Sequence, residues 1–138
     1  MTAGYLTISV DDGHPLDLKA ADLLSRYDLP ATFYIPVKNP ERSIMDKSGI
    51  PELSSSFEIG AHTYNHRVLT GLPQNDIRRE LVDGKDWLEQ VTGRPVESFC
   101  YPKGKFNRRV VAEVRNAGFL GARTCMHNLN IVPSDPLL

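Results

Sequence analysis

The chain has 138 residues, of which 41% are hydrophobic and 24% charged, and its 16 Lys and Arg nearly balance its 17 Asp and Glu. This composition is typical of one globular domain and argues against a disordered chain or a basic nucleic-acid-binding surface. No apolar stretch reaches the roughly 20 residues that cross a membrane. The amino end also lacks the basic segment of a signal peptide, so the cytoplasm is the default location.

The first predicted strand ends in two carboxylates. Residues 5–10 are rich in β-branched and aromatic residues, and Asp11, Asp12 and Gly13 follow them as a polar turn. Pro15 suits the first position of an amphipathic helix. The apolar stripe predicted for this helix consists of Leu16, Ala20, Leu23, Leu24 and Tyr27.

Two further strands follow, with a long connection between them. Residues 31–35 predict the second strand, and the polar stretch 36–56 predicts a loop that contains a single helical turn. Loops of this length are often functional. Residues 57–62 predict the third strand, which ends at His62.

The second half of the chain continues the alternation of helices and strands. Residues 98–101 and 119–124 predict the fourth and fifth strands, each preceded by a helix. The predicted cap and terminator are Asn75 and Gly93 for the second helix, and Asn107 and Gly118 for the third.

This alternation predicts an α/β fold with a parallel sheet built from right-handed βαβ units. In such sheets the functional groups lie at the carboxyl ends of the strands. A closed (β/α)₈ barrel typically needs about 250 residues, and five strands do not close one. The sequence therefore predicts a partial (β/α) barrel of about five parallel strands.

Three candidate metal ligands follow the first and third predicted strands. Asp12 ends the first strand with Asp11, and His62 and His66 begin and end a five-residue segment after the third. Imidazole and carboxylate groups suit zinc and similar ions, and catalytic zinc usually takes three protein ligands. Either segment alone is common in ordinary turns and surfaces. Their placement on one edge of the sheet favours a metal site.

These segments resemble motifs of the polysaccharide deacetylases, metal-dependent enzymes that remove N- and O-acetyl groups from chitin oligomers, peptidoglycan and related glycans. Residues 7–13 resemble the family's first motif, Thr-Phe-Asp-Asp-Gly. Residues 62–66 resemble its second motif, His-Ser/Thr-x-x-His, and residues 29–34 resemble its recurrent second strand. The resemblance extends over residues 7–124 and implies the partial barrel of that family.

The resemblance assigns a role to each of these residues. It implies that Asp11 is the general base and that a divalent ion, with zinc favoured, is held by Asp12, His62 and His66. The chemistry is consistent, because a bound ion lowers the pKa of water and a neighbouring carboxylate can then accept the proton. Thr63 either fixes this segment through a side-chain hydrogen bond or is an ordinary loop residue.

Residues 99–104 resemble the third motif, Arg-x-Pro-Tyr, in a Tyr-Pro-x-Gly variant. Cys100 stands at the arginine position and Lys103 at the tyrosine position. The resemblance implies that the backbone N–H of Lys103 stabilises the oxyanion, which requires no particular side chain. The missing arginine leaves Asp11 without its expected orienting partner. Cys100 itself is expected to be a small core residue rather than a nucleophile.

The family's later Asp-Trp and Leu-x-His motifs are absent after Thr124. Asp86 and Trp87 lie within the second predicted helix, and His127 is expected to be a tail residue. His14 either contacts substrate or metal or is a solvated loop residue. We therefore expect residues 1–138 to be a single domain of this type without its C-terminal strands.

Three functions agree with these observations. The first is a metal-dependent hydrolase that removes N- or O-linked acetyl groups from a carbohydrate. The second is a hydrolase of other non-peptide C–N bonds, including those of cyclic amides, on the same site. The third is a truncated relative that binds metal or glycan without turnover. The expected partner is an acetylated glycan or a small amide, and unpaired sheet edges predict either self-association or a lost continuation of the chain.

Overall fold

The computed structural model describes residues 6–125 and 135–138. Its centre is a sheet whose strands follow one another in chain order, each parallel to its neighbours. This arrangement confirms the predicted partial barrel of parallel strands. The strands are β1 (Ser9–Asp11), β2 (Thr32–Ile35), β3 (Glu58–Ala61), β4 (Ser98–Cys100) and β5 (Gly121–Arg123).

The sheet is strongly curled, as a contact between its two edge strands shows. In a flat sheet, four spacings of about 4.8 Å would separate β1 from β5 by roughly 19 Å. The guanidinium of Arg123, at the end of β5, nevertheless lies 2.6 Å from the carboxylate of Asp11, at the end of β1. An arginine side chain cannot span the flat distance. The strands must therefore bend around a common axis, as they do in part of a barrel.

Four α-helices connect the strands: α1 (Asp17–Arg26), α2 (Gly49–Ser56), α3 (Gln74–Thr92) and α4 (Arg108–Asn116). Short 3₁₀ turns at Leu69–Gly71 and Pro102–Gly104 precede α3 and α4. Residues 36–56 contain more helix than the single turn expected from the sequence. The eight-residue helix α2 forms there because it buries Ile50 and Leu53, one turn apart, in the core.

The predicted helix ends are partly correct. Asn107 caps α4, and its side chain accepts a hydrogen bond from the Val110 N–H at 3.0 Å. Gly93 ends α3 in the left-handed conformation with φ 66°, and Gly118 follows α4 with φ 86°. The prediction that Asn75 caps α3 is wrong, because the helix begins at Gln74, one residue earlier, with no side-chain cap.

The apolar stripe predicted for α1 does not face the core. Leu16, Leu23 and Tyr27 are 57%, 55% and 70% exposed, whereas Ala21 is buried. Of the larger residues in the predicted stripe, only Leu24 packs against the core. The helix packs mainly against α2, and β1, the strand it follows, is at the edge of the sheet, so much of its surface lies outside the core.

The hydrophobic core lies between the sheet and helices α2, α3 and α4. Phe33 of β2 and Phe99 of β4 are completely buried. The helices contribute Ile77, Leu88 and Val110, also completely buried, and the resulting cluster is continuous. This packing fixes the strands relative to one another and therefore the positions of the loops at their carboxyl ends.

The sheet has two edges, β1 and β5, each with one neighbouring strand among the described residues. The expected self-association or continuation of the chain at these edges stays a prediction. The assignment of residues 1–138 to a single domain also stays a prediction. None of the described helices is both long and apolar enough to cross a membrane.

Candidate metal centre

The carboxyl ends of β1, β3 and β4 bring the predicted site residues to one edge of the sheet. Asp11 is the last residue of β1, and Asp12 follows it directly. His62 follows the last residue of β3, and Lys103 lies in the turn after β4. This placement follows from the parallel topology, because all strands end on the same side.

Asp12, His62 and His66 form a cluster with one candidate ligand atom each, all within 4.8 Å of one another. Nε2 of His66 lies 3.1 Å, and Nε2 of His62 3.5 Å, from Oδ1 of Asp12. Both imidazoles are buried, at 2% and 8% exposure for His62 and His66. Two imidazoles and one carboxylate are the donor set and number that suit a catalytic zinc ion.

The hydrogen bonding of His62 leaves one nitrogen ready to bind a cation. Its Nδ1 lies 2.7 Å from the backbone oxygen of Cys100. Because a carbonyl can only accept, Nδ1 carries a proton, and Nε2 is the nitrogen that faces the carboxylate of Asp12. A divalent cation between Nε2 and this carboxylate can replace a proton as the bridge between them. A hydrogen bond from the other ring nitrogen, here from Nδ1 to the Cys100 carbonyl, is the usual support of a metal-ligating histidine.

The electrostatics of the cluster favour the protonation states that bind metal. The pKa of Asp12 is held below its usual range, first by its hydrogen bond with His62 and, against the effect of burial, by the nearby charges of His66 and Arg42. Burial, followed by the neighbouring His62, lowers the pKa of His66. A charged carboxylate and a neutral imidazole are the forms that coordinate a divalent ion.

Asp11 is held by an arginine from the far edge of the sheet. Nη1 of Arg123 donates a hydrogen bond to Oδ2 of Asp11 at 2.6 Å. Burial alone would lower the pKa of the Arg123 guanidinium, but the hydrogen bond and charge of Asp11 raise it overall. The second oxygen of Asp11, Oδ1, is buried and has no hydrogen-bond partner among residues 6–125 and 135–138. One oxygen is thus fixed, while the other is available for a proton.

Sequence reasoning missed Arg123, although it expected an arginine beside Asp11. Cys100 stands at the expected position, and Arg123 is its register partner on the neighbouring strand β5. The guanidinium therefore comes from one strand further along the sheet. A charged residue at the carboxyl end of the predicted fifth strand was the available signal. Its partner was not predictable without the curl of the sheet.

Lys103 occupies a tight turn at the same edge. Its backbone is left-handed, with φ 55°, and no carbonyl of the described residues accepts a hydrogen bond from its N–H. Its ammonium forms an exposed ion pair with Glu41 at 2.8 Å. This pair links the turn after β4 to the loop after β2. The backbone N–H can thus serve a ligand while the side chain is engaged elsewhere.

The loop after β2 contributes a second residue that sequence reasoning missed. Nε of Arg42 lies 3.5 Å from Oδ2 of Asp12, and the Arg42 side chain is largely exposed. The long connection between β2 and β3 therefore reaches the cluster of Asp12, His62 and His66, consistent with a functional loop. A charged residue in an irregular loop carries no sequence signal for such a contact.

The remaining candidates have more ordinary surroundings. Cys100 is completely buried, and burial raises the pKa of its thiol to about 12, which agrees with a core residue. Nδ1 of His14 accepts a hydrogen bond from the Leu16 N–H at 3.1 Å. Thr63 is buried, but its hydroxyl has no partner within the described part of the chain, so the side-chain hydrogen bond that was one of its two alternatives is not seen. His127 lies outside the described residues.

Comparisons with known proteins agree with this geometry. The family model for polysaccharide deacetylases matches residues 1–122. A peptidoglycan-N-acetylglucosamine deacetylase from Bacillus cereus is 28% identical over 116 residues, which are 83% of this chain and 53% of that protein. The chain spans 53%, 41% and 32% of the lengths of three curated relatives that it matches.

Solved structures have the same architecture. The polysaccharide deacetylase BC0361 from Bacillus cereus superposes with a TM-score of 0.81 at 26% identity, covering 94% of this chain and 43% of that one. IcaB from Ammonifex degensii gives a TM-score of 0.85 at 21% identity, covering 99% of this chain and 66% of that one. The second likeness bears on the fold alone.

Proposed function

This chain belongs to the polysaccharide deacetylase family, and from that premise we propose that it is a metal-dependent hydrolase that removes N- or O-linked acetyl groups from a carbohydrate. The observation that carries the proposal is the cluster of Asp12, His62 and His66. It lies beside a carboxylate, Asp11, whose buried Oδ1 has no hydrogen-bond partner in the described ranges 6–125 and 135–138. The substrate class is supported by the relatives, one of which is named a peptidoglycan-N-acetylglucosamine deacetylase.

The first role in the proposed reaction is to hold the metal ion. Asp12, His62 and His66 would hold a divalent ion, with zinc favoured by two imidazoles and one carboxylate. When bound, such an ion lowers the pKa of water and polarises the acetyl carbonyl. The site needs no rearrangement of His62, whose Nδ1 is already fixed by the Cys100 carbonyl.

Asp11 acts as the general base in this proposal. Its free Oδ1 takes the proton from water as the water oxygen attacks the acetyl carbon. Arg123 keeps Oδ2 in place, so the carboxylate need not reorganise during proton transfer. The Lys103 N–H donates to the oxygen that becomes negative. The bond from the acetyl carbon to nitrogen or oxygen then breaks, the departing nitrogen or oxygen takes up the proton that Asp11 accepted, and acetate and the deacetylated sugar are released.

Calorimetry with zinc on metal-stripped protein tests the metal centre. We expect tight, roughly stoichiometric binding by the wild type and a large loss in His66→Ala. His14→Ala is the matched control, because this histidine is near in sequence but is not part of the cluster. Equal binding by wild type and His66→Ala would contradict the assignment.

Acetate release from N-acetylglucosamine oligomers then tests the reaction. We expect release by the zinc-loaded wild type and its loss in Asp11→Asn, which cannot accept the proton. Ring opening of a cyclic amide without acetate release would favour the second hydrolase hypothesis. Zinc binding without turnover of either substrate would favour a non-catalytic relative.

A further inference from the structure

The segment that carries both candidate histidine ligands has a strained backbone. Thr63 and His66 are in the left-handed region, with φ 68° and 56°. This conformation is unfavourable for residues other than glycine, and especially for a β-branched one. Residues in such conformations persist only where their surroundings hold them. The segment 62–66 therefore needs support from outside itself.

A buried glutamate on α3 provides one support. Oε2 of Glu80 accepts a hydrogen bond from the backbone N–H of Asn65 at 2.8 Å, and Oε1 accepts from Nδ2 of Asn65 at 2.9 Å. Glu80 is only 3% exposed. Both carboxylate oxygens thus accept from Asn65, directly before His66, and Nη1 of Arg67, directly after it, lies 3.8 Å from Oε1. Hydrogen bonds to a charged acceptor are among the stronger ones in proteins.

A glycine one turn further along α3 provides a second support. Residues four apart on a helix lie on one face, so Gly84 is beside Glu80. A Cβ atom at Gly84 would lie 3.1 Å from the carbonyl carbon of Thr63 and 3.1 Å from the nitrogen of Tyr64. The helix backbone therefore packs directly against the strained part of the segment. The loop after β2 also contacts the segment, because the backbone N–H of Lys38 donates a hydrogen bond to the backbone carbonyl of Tyr64 at 2.7 Å.

We infer that Glu80 and Gly84 are positioning residues for the metal centre, holding His62 and His66 at the spacing needed to bind one ion. Glu80 fixes the end of the segment at Asn65, and Gly84 allows α3 to approach its beginning. This inference rests on the proposed function. It assigns part of the metal affinity to α3, a helix that supplies no ligand to the cluster.

Glu113 supplies a matched control. It is also a buried glutamate, 4% exposed, whose carboxylate accepts hydrogen bonds from Gln74 and Arg78. It joins α3 to α4 and does not contact the segment 62–66. Glu113→Gln should therefore lower stability as a buried carboxylate substitution does, without changing the arrangement of the histidines.

The experiment measures zinc affinity by calorimetry and thermal stability for the wild type, Glu80→Gln, Gly84→Ala and Glu113→Gln. Asn65 presents two donors, its backbone N–H and its Nδ2, but glutamine at position 80 has only one acceptor oxygen. One of the two hydrogen bonds that hold the segment is therefore lost, and we expect Glu80→Gln to bind zinc about 10- to 100-fold more weakly. Glu113→Gln should keep wild-type affinity. Gly84→Ala should lose about tenfold in affinity, and its melting temperature should change little, because the higher helix propensity of alanine offsets the cost of displacing the segment.

Wild-type zinc affinity in Glu80→Gln, or an equal loss in Glu113→Gln, overturns this inference alone. Absence of zinc binding by the wild type overturns the proposed metal centre, and the inference with it. If Glu80→Gln does not fold, Gly84→Ala decides the question, since its Cβ disturbs the segment and leaves the Glu80 contacts in place. Wild-type affinity in a folded Gly84→Ala then refutes the positioning role of α3.

Discussion

Replacement of Arg123 by methionine tests whether this arginine orients Asp11, the proposed general base. The change removes the 2.6 Å hydrogen bond from Nη1 to Oδ2 of Asp11 and leaves an apolar side chain of similar length. Asp11 can then rotate or bind water through both oxygens. We expect a lower kcat for acetate release and unchanged zinc affinity, because Arg123 contacts Asp11 and not the three-residue cluster.

The size of the effect follows from the contact. A hydrogen bond to a charged group contributes about 1.5 to 3 kcal/mol. The side chains of Arg123 and Asp11 are 37% and 26% exposed, so water screens them in part. We therefore take the lower part of that range, about 1.5 to 2 kcal/mol. At about 1.4 kcal/mol for each factor of ten, kcat should fall roughly 10- to 30-fold.

The assay is acetate release at saturating zinc, with Arg115→Met as the matched control. Arg115 forms an ion pair of similar length, 2.7 Å, with Asp135, away from the cluster. Its loss should leave kcat unchanged. Arg123→Lys should be intermediate, because lysine restores the charge without the planar guanidinium. A wild-type kcat in Arg123→Met, or a loss of zinc affinity that accounts for its defect, refutes the orienting role.

Two further predictions concern pH and the oxyanion. Burial raises the pKa of Asp17 from 3.8 to about 6, so the folded protein holds this proton more tightly, and the contribution of Asp17 to stability is lost as pH rises from about 4 to about 6. Asp17→Asn should remove this loss, so that the free energy of unfolding at pH 7, relative to pH 4, is higher than in the wild type by up to ~3 kcal/mol. Urea titrations of metal-free protein at pH 4 and pH 7 measure this, and an unchanged difference between the two contradicts it. Lys103→Gly keeps the backbone N–H and suits the left-handed φ of 55°, so we expect wild-type kcat for acetate release, and a large loss would implicate the side chain instead.

The motif residues were predictable because each depends on short stretches of sequence. Asp12 and His62 follow strands whose composition marks their ends, and parallel strands end on the same side of a sheet. His66 lies in the same short segment as His62. No long-range information beyond the topology was needed to bring these three residues together.

Other features depended on what packs against each element. Periodicity predicted α1, yet Leu23 and Tyr27 of its stripe are exposed, because α1 packs mainly against α2 and buries only a narrow face. The polar stretch after β2 gave little sign of α2, which is stabilised by burial of Ile50 and Leu53. The residues that surround the cluster, Glu80 among them, likewise have no local signature.

The sequence by itself determined the alternation of strands and helices, the parallel sheet and the candidate ligands, because periodicity and turn chemistry act over a few residues. Only the tertiary structure decided which arginine accompanies Asp11. The two partners are 112 residues apart and lie on opposite edges of the sheet. Their contact exists because the strands curl, and that curl results from the packing of the whole core rather than from either segment.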